Sequence, residues 1–241
     1  MKLRSPLAEM TRYLLYPLIM LAMLLTLSGC GDNEPEQRKA FIDFLQTRVL
    51  AKTELAVPAL TDKEKASFGP YLHDYQVLAG YHQQMNQIFN ASLGPVFTHL
   101  SSIGSVSSLM AKRDEMKKMT ADSEAWKPAL TKVRADTDSK HAALTQPDDL
   151  KAVYDQAYSK LIVQPDAVAQ QIATLVPQVL SLVVEQVDLL KAQGDTVQIT
   201  GNQVQFRDPK ALEQYNAIQQ QLQPLATELM KTAVKLQHMM Y

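Results

Sequence analysis

A single cysteine, Cys30, stands in 241 residues, so no internal disulfide can staple the chain and its stability must come from packing. Glycine is scarce at 8 residues, and no Gly-rich phosphate loop appears. Charge of one sign is lacking as well. Lys and Arg number 24 against 25 Asp and Glu, a net charge of −1, which leaves no footprint for nucleic acid and no polybasic patch for anionic lipid. His73, His82, His99, His141 and His238 are scattered. No two of them have the i, i+4 spacing with an acid that builds a zinc site, and no Gly-x-Ser-x-Gly elbow is present. The sequence therefore gives no catalytic residues, no metal site and no cofactor, and the expectation is a protein that is not an enzyme.

The N-terminus is the most specific stretch. Lys2, Arg4 and Arg12, diluted by Glu9, precede an almost wholly apolar run from Tyr13 to Leu27. That is the order and length of a secretory signal, short for a membrane span. Small residues Ser28 and Gly29 then stand before the cysteine. Leu27-Ser28-Gly29-Cys30 resembles the lipobox of bacterial lipoproteins. The resemblance implies signal peptidase recognition through Leu27, Ser28 and Gly29, cleavage before Cys30, diacylglycerol on its sulfur and a third acyl chain on the new amine. Two or more chains hold a protein to a bilayer stably, at about 0.8 kcal/mol per buried CH₂. The partner so implied is a membrane, reached from the periplasmic side. Asp directly after the cysteine favours inner-membrane retention in enterobacterial lipoproteins; here that position is Gly31, which favours the outer membrane. The expected organisation is a cleaved signal over 1–29, a lipidated residue and polar tether over 30–37, and one helical domain over 38–241.

Ala, Leu, Gln and Lys dominate the rest, a helix-forming composition. Phe41, Phe44, Leu45 and Val49 fall on one face of a first helix over Arg38 to Lys52. Thr61 and Glu64 have the spacing of a capping box. Leu72, Tyr75, Leu78, His82, Met85 and Phe89 form the next apolar stripe, expected to end at Leu93-Gly94-Pro95. Val96 to Met119 is rich in serine and harder to assign, with Lys112 to Lys118 expected in solvent. Asp122 or Ser123 is placed to cap a helix carrying Trp126, Leu130 and Val133. Another starts over Thr145 to Asp149 and buries Leu150, Val153, Tyr154, Ala157 and Leu161. Ile172 to Leu190 is apolar on almost every side, but Gln178, Glu185 and Asp188 argue for a central core helix rather than a second membrane span. The period then shifts to two: Val197 and Ile199, the turn Gly201-Asn202, then Val204 and Phe206 read as a β-hairpin over about 196–206. Asp208-Pro209 opens the last helix. The expected fold is mainly α, an elongated bundle of about six or seven helices with this one hairpin.

The lipobox at Cys30, together with Val197, Gly201-Asn202, Val204, Phe206, Asp208-Pro209 and Tyr215-Asn216, resembles an enterobacterial lipoprotein family known only as a domain of unknown function. The resemblance implies a compartment and no mechanism. Two functions fit. One is a non-catalytic, membrane-tethered interaction or scaffold protein of the cell envelope, meeting another envelope protein or the cell wall through an exposed apolar patch away from the tether. The other is a module for a small apolar ligand or lipid, with a cavity of about 300 Å³ or more between Tyr75 and Val179. An enzyme would need His82 or His99 close to a serine or carboxylate in a cleft. The candidate ligand or partner face is Tyr71, Tyr75, His82 and Met85, where core packing is the competing role, and the late methionines Met230, Met239 and Met240 are a second adaptable surface.

Overall fold

The computed structural model describes residues 33–240; the expected leader and the expected lipidation at Leu27-Ser28-Gly29-Cys30 lie outside the described residues. Helix α1, Glu34–Phe44, begins four residues earlier than expected. Pro35 is tolerated in a first turn, where its missing N–H has no helical partner to lose, and Glu34 and Glu36 suit the positive end of the helix dipole. Phe41, Phe44, Leu45 and Val49 are all buried, the last two on a π-helical turn over Leu45–Leu50. Helix α2, Asp62–Ser67, opens with the expected capping box between Thr61 and Glu64. Two amide and hydroxyl hydrogen bonds from Thr61, reinforced by Arg48, hold the Glu64 carboxyl down at about 2.

Helix α3, Leu72–Ile88, does not stop at Leu93-Gly94-Pro95. It passes through a π turn, Phe89–Leu93, into α4, Gly94–Ser101. Helix α8, Asp148–Tyr158, does the same, through a π turn at Ser159–Val163 into α9, Gln164–Gln193. Pro95 and Pro165 each follow such a turn by two residues. A proline in mid-helix has no N–H and collides with the carbonyl four residues back; widening the preceding turn lets the rod continue.

Between these rods lie α5, Val106–Ala111, α6, Arg113–Ser123, and α7, Trp126–Ala142. Ser123 ends α6 instead of capping α7, and its hydroxyl donates to the Thr120 carbonyl. Nor is Lys112 to Lys118 wholly solvated. Met116 is fully buried, and Arg113 grips Asp188 of α9 through Nε and Nη2, at 2.7 and 2.8 Å. Strands β1, Val197–Thr200, and β2, Gln203–Phe206, pair antiparallel with Ile199 opposite Val204. Gly201, at φ +61°, supplies the turn conformation that glycine adopts most readily. Asp208 accepts the Lys210 N–H at the start of α10, Pro209–Met240.

The described residues are 82% helical, with the one hairpin before the final helix. Two cores lie along the molecule. The first gathers α1, α3 and α8 around Phe41, Phe68, Leu78, Tyr154 and Leu161. The second gathers α4, α7, α9 and α10 around Leu93, Trp126, Ile172, Leu180 and Leu229. The unbroken run Asp148–Thr196, 49 residues and roughly 70 Å of helix, passes through both. By length and composition that run could cross a membrane. Here it is the central helix, with Ile172, Leu180, Val187 and Leu190 in the core and Asp188 paired. The segment between α1 and α2 meets the end of α10 where the Leu55 N–H donates to the Met239 carbonyl at 2.8 Å.

Truncating a fully buried side chain costs about 3–5 kcal/mol for Phe→Ala and about 2–5 for Leu→Ala. Phe41→Ala and Leu180→Ala, one in each core, should each lower stability by such an amount in denaturant titration. Thr61→Ala should cost about 1 kcal/mol through the lost cap.

Candidate functional site

The four residues of the expected face do not share one surface. Tyr71 is buried with Phe41, its ring stacked at 6.2 Å and its hydroxyl donating to Glu34; burial, then that carboxylate, push its hydroxyl up to about 12. Tyr75 meets Phe44 edge-on at 5.9 Å and donates to the Pro58 carbonyl. Both belong to the first core. The buried positions of α3 are Asp74, Val77, Leu78 and Tyr81, rotated from the stripe expected, because α3 packs along α7 while Phe44 of α1 and Tyr154 of α8 reach it from another side.

His82 has a structural task. Its Nε2 lies 2.8 Å from the carbonyl of Leu161, the residue four before Pro165, whose ring has no N–H to offer it. A carbonyl only accepts, so Nε2 carries the proton; burial pushes His82 below its usual value and keeps it neutral. Met85 lines a small enclosed cavity of about 40 Å³ beside Tyr81, Leu130, Pro165 and Leu236. Tyr75 and Val179 lie in different cores, and the cavity expected between them is not where the enclosed space is.

Where α3 crosses the central rod, a chain of polar groups runs from buried Tyr81 and Asp166 out to exposed Asp138. The Tyr81 hydroxyl donates to Asp166 Oδ1 at 3.2 Å, Arg134 Nη1 stands 3.7 Å from Asp166 Oδ2, and Arg134 Nε donates to Asp138 at 2.8 Å. The Tyr158 hydroxyl closes on Asp138, and His141 stacks on the Tyr158 ring at 3.9 Å. Only the i, i+4 pair Arg134–Asp138 could have been read from the sequence; the rest depends on residues up to 85 positions apart.

Two open depressions flank the α3–α4 rod. On one side an apolar groove of about 590 Å³ runs against α10, between Phe89, Phe97 and Ile172 and the α10 residues Met230, Val234 and Leu236. Met230 and Val234 are 60% and 46% exposed. Met239 instead packs against the second core. On the other side a cleft of about 950 Å³ separates α4 from α6, with Val96, Met119 and Trp126 as apolar lining and His99, Glu115, Lys118 and Asp122 as polar lining. His99 thus does lie beside a carboxylate in a cleft, 3.2 Å from Glu115, but its Nε2 has no hydrogen-bonded partner and no serine hydroxyl is engaged by it. Among the described residues no cluster of His, Cys, Asp and Glu could hold a metal.

Residues 18–237 match a family described as "Protein of unknown function (DUF3053)". The chain belongs to that family. It is 38% identical over 161 residues to "Uncharacterized protein YiaF" of Escherichia coli, and equally to that of Shigella flexneri. The match covers 67% of this chain and 66% of each relative, so the chain spans just under two thirds of the length of these relatives. No solved structure matches. The enterobacterial family of unknown function expected from the hairpin and the last helix is thereby found.

Burial raises Asp166 above the ordinary 3.8, partly opposed by Arg134 and Tyr81. In the window between 3.8 and its higher native value the folded chain holds a proton that the unfolded chain has released, so its contribution to stability is full below that window and falls as pH rises through it. Asp166→Asn should remove this slope. Measured by urea unfolding from pH 4 upward, the variant should gain on the parent as pH rises; parallel curves would contradict the assignment.

Proposed function

We propose that this protein is a lipid-anchored, non-catalytic helical interaction protein of the cell envelope, facing the periplasm and carried by the outer membrane. Leu27-Ser28-Gly29-Cys30 behind a basic and apolar leader supports the anchor, and Gly31 after the cysteine supports the outer membrane. The observation that carries the interaction reading is the groove between α3–α4 and α10, where Met230 and Val234 are exposed beside Phe89 and Phe97. Large apolar side chains held in solvent along one groove mark a surface that another molecule covers, and methionine adapts to irregular partners. A non-catalytic role is supported by His82, committed to a backbone carbonyl, and by His99, which has no nucleophile to activate. A lipid or apolar-ligand cavity between Tyr75 and Val179 is less well supported, since the two lie in different cores and the small cavity beside Met85 holds about 40 Å³, far below the roughly 300 Å³ such sites need.

Two measurements test this reading. Cys30→Ser should abolish metabolic labelling with palmitate and leave the leader attached, seen as a larger mass; a variant with unchanged mass and membrane fractionation would refute the anchor. Photo-crosslinking residues placed at Met230 and Val234 should trap a discrete envelope protein in living cells, while one at exposed Lys132 on α7 should not. Equal crosslinking from all three positions would refute the groove as the docking surface.

A further inference from the structure

The cleft between α4 and α6 is built differently from the groove. Its walls are apolar, formed by Val96 of α4, Met119 of α6 and Trp126 of α7. At its α4 edge lies His99 Nε2, the one buried side-chain nitrogen or oxygen among the described residues without a hydrogen-bond partner. Buried polar groups in folded proteins are nearly always paired, and an unpaired one marks a missing partner. Glu115 is within 3.2 Å of it but not in line for a hydrogen bond.

The charges of the cleft do not cancel locally. Lys118 is held by Asp122 at 2.5 Å, and Lys112, one turn before Glu115, places its ammonium on the Ser102 hydroxyl at 2.6 Å. Glu115 is left as the carboxylate without a lysine or arginine, beside a histidine whose Nε2 has no hydrogen-bond partner. A group able to satisfy both at once must donate at least two hydrogen bonds and carry positive charge. A primary ammonium does so, and the apolar walls would cover a hydrocarbon or aromatic body attached to it. We infer that the α4–α6 cleft is a binding site for a small primary amine with an apolar body, its ammonium held by Glu115 beside the unpartnered His99 Nε2. This site is separate from the docking groove and stands or falls independently of it.

Trp126 is the only tryptophan in the chain, so its fluorescence reports on the cleft alone. The full chain, held in phosphatidylcholine nanodiscs, would be titrated with 2-phenylethylamine, with the neutral 2-phenylethanol and with phenylacetate, against empty nanodiscs as the partition control. Saturation-transfer NMR on the same samples gives a readout that does not depend on the indole. The expected result is saturable binding of the amine, at least tenfold weaker binding of the alcohol and none of the acid. Glu115→Gln, whose fold is checked by circular dichroism, should weaken the amine at least tenfold while leaving the alcohol unchanged. A linear, non-saturating response to the amine by both readouts means a cleft that holds water only, and overturns the proposal. So does equal affinity for amine and alcohol, or an amine affinity unmoved by Glu115→Gln.

Discussion

The helical run from Asp148 through Gln193 enters the first core with Leu150, Tyr154 and Ala157 and leaves the second with Val176, Val179 and Leu180. Every other long element is positioned against it: α1 and α3 beside its first half, α6 and α10 beside its second, α7 beside both. With no disulfide available, this shared rod is what makes two cores one body. Its continuity depends on tolerating Pro165, which the π turn and the His82 hydrogen bond to Leu161 together achieve. The polar chain from Tyr81 to Asp138 sits at the same junction. Burying Tyr81 and Asp166 is costly unless each is satisfied, so their contacts with each other and with Arg134 favour one angle at which α3 and α7 meet the rod.

That frame explains why both surface depressions border α4. The π turn that lets α3 continue past Pro95 carries the chain onward as a rod instead of folding it back. Helix α4 touches the second core through Leu93 and Val96, leaving open space toward α10 on one flank and toward α6 on the other. The two flanks differ chemically. One has exposed Met230 and Val234 and suits a protein surface; the other has Glu115 and His99 facing an apolar floor and suits a small cation.

Much of the fold was legible locally. The capping box at Thr61, the buried set Phe41, Phe44, Leu45 and Val49, the start of α8 and the hairpin at Gly201-Asn202 each rest on contacts within a few residues, which periodicity and turn chemistry reveal. The helix ends at Pro95 and Ser123 were not, because propensity marks a proline as a stop and a serine as a cap while tertiary packing let one helix run on and ended the other. The sites were harder still. Tyr71, Tyr75, His82 and Met85 share a stripe in one dimension, yet neighbouring helices cover α3 and put these residues to structural use. His99 could be named from the sequence, but Glu115 lies on another helix and no spacing rule connects them.

The claim that most of this rests on is that one rod binds both cores into a single cooperative unit. Native-state hydrogen exchange tests it directly, by comparing the amides of Leu161 and Ile162 in the first core with those of Val176 and Leu180 in the second. The account predicts that all four exchange through the same global opening, with one free energy and one dependence on denaturant. Two distinct free energies, one for each core, would show that the halves open separately and would contradict it.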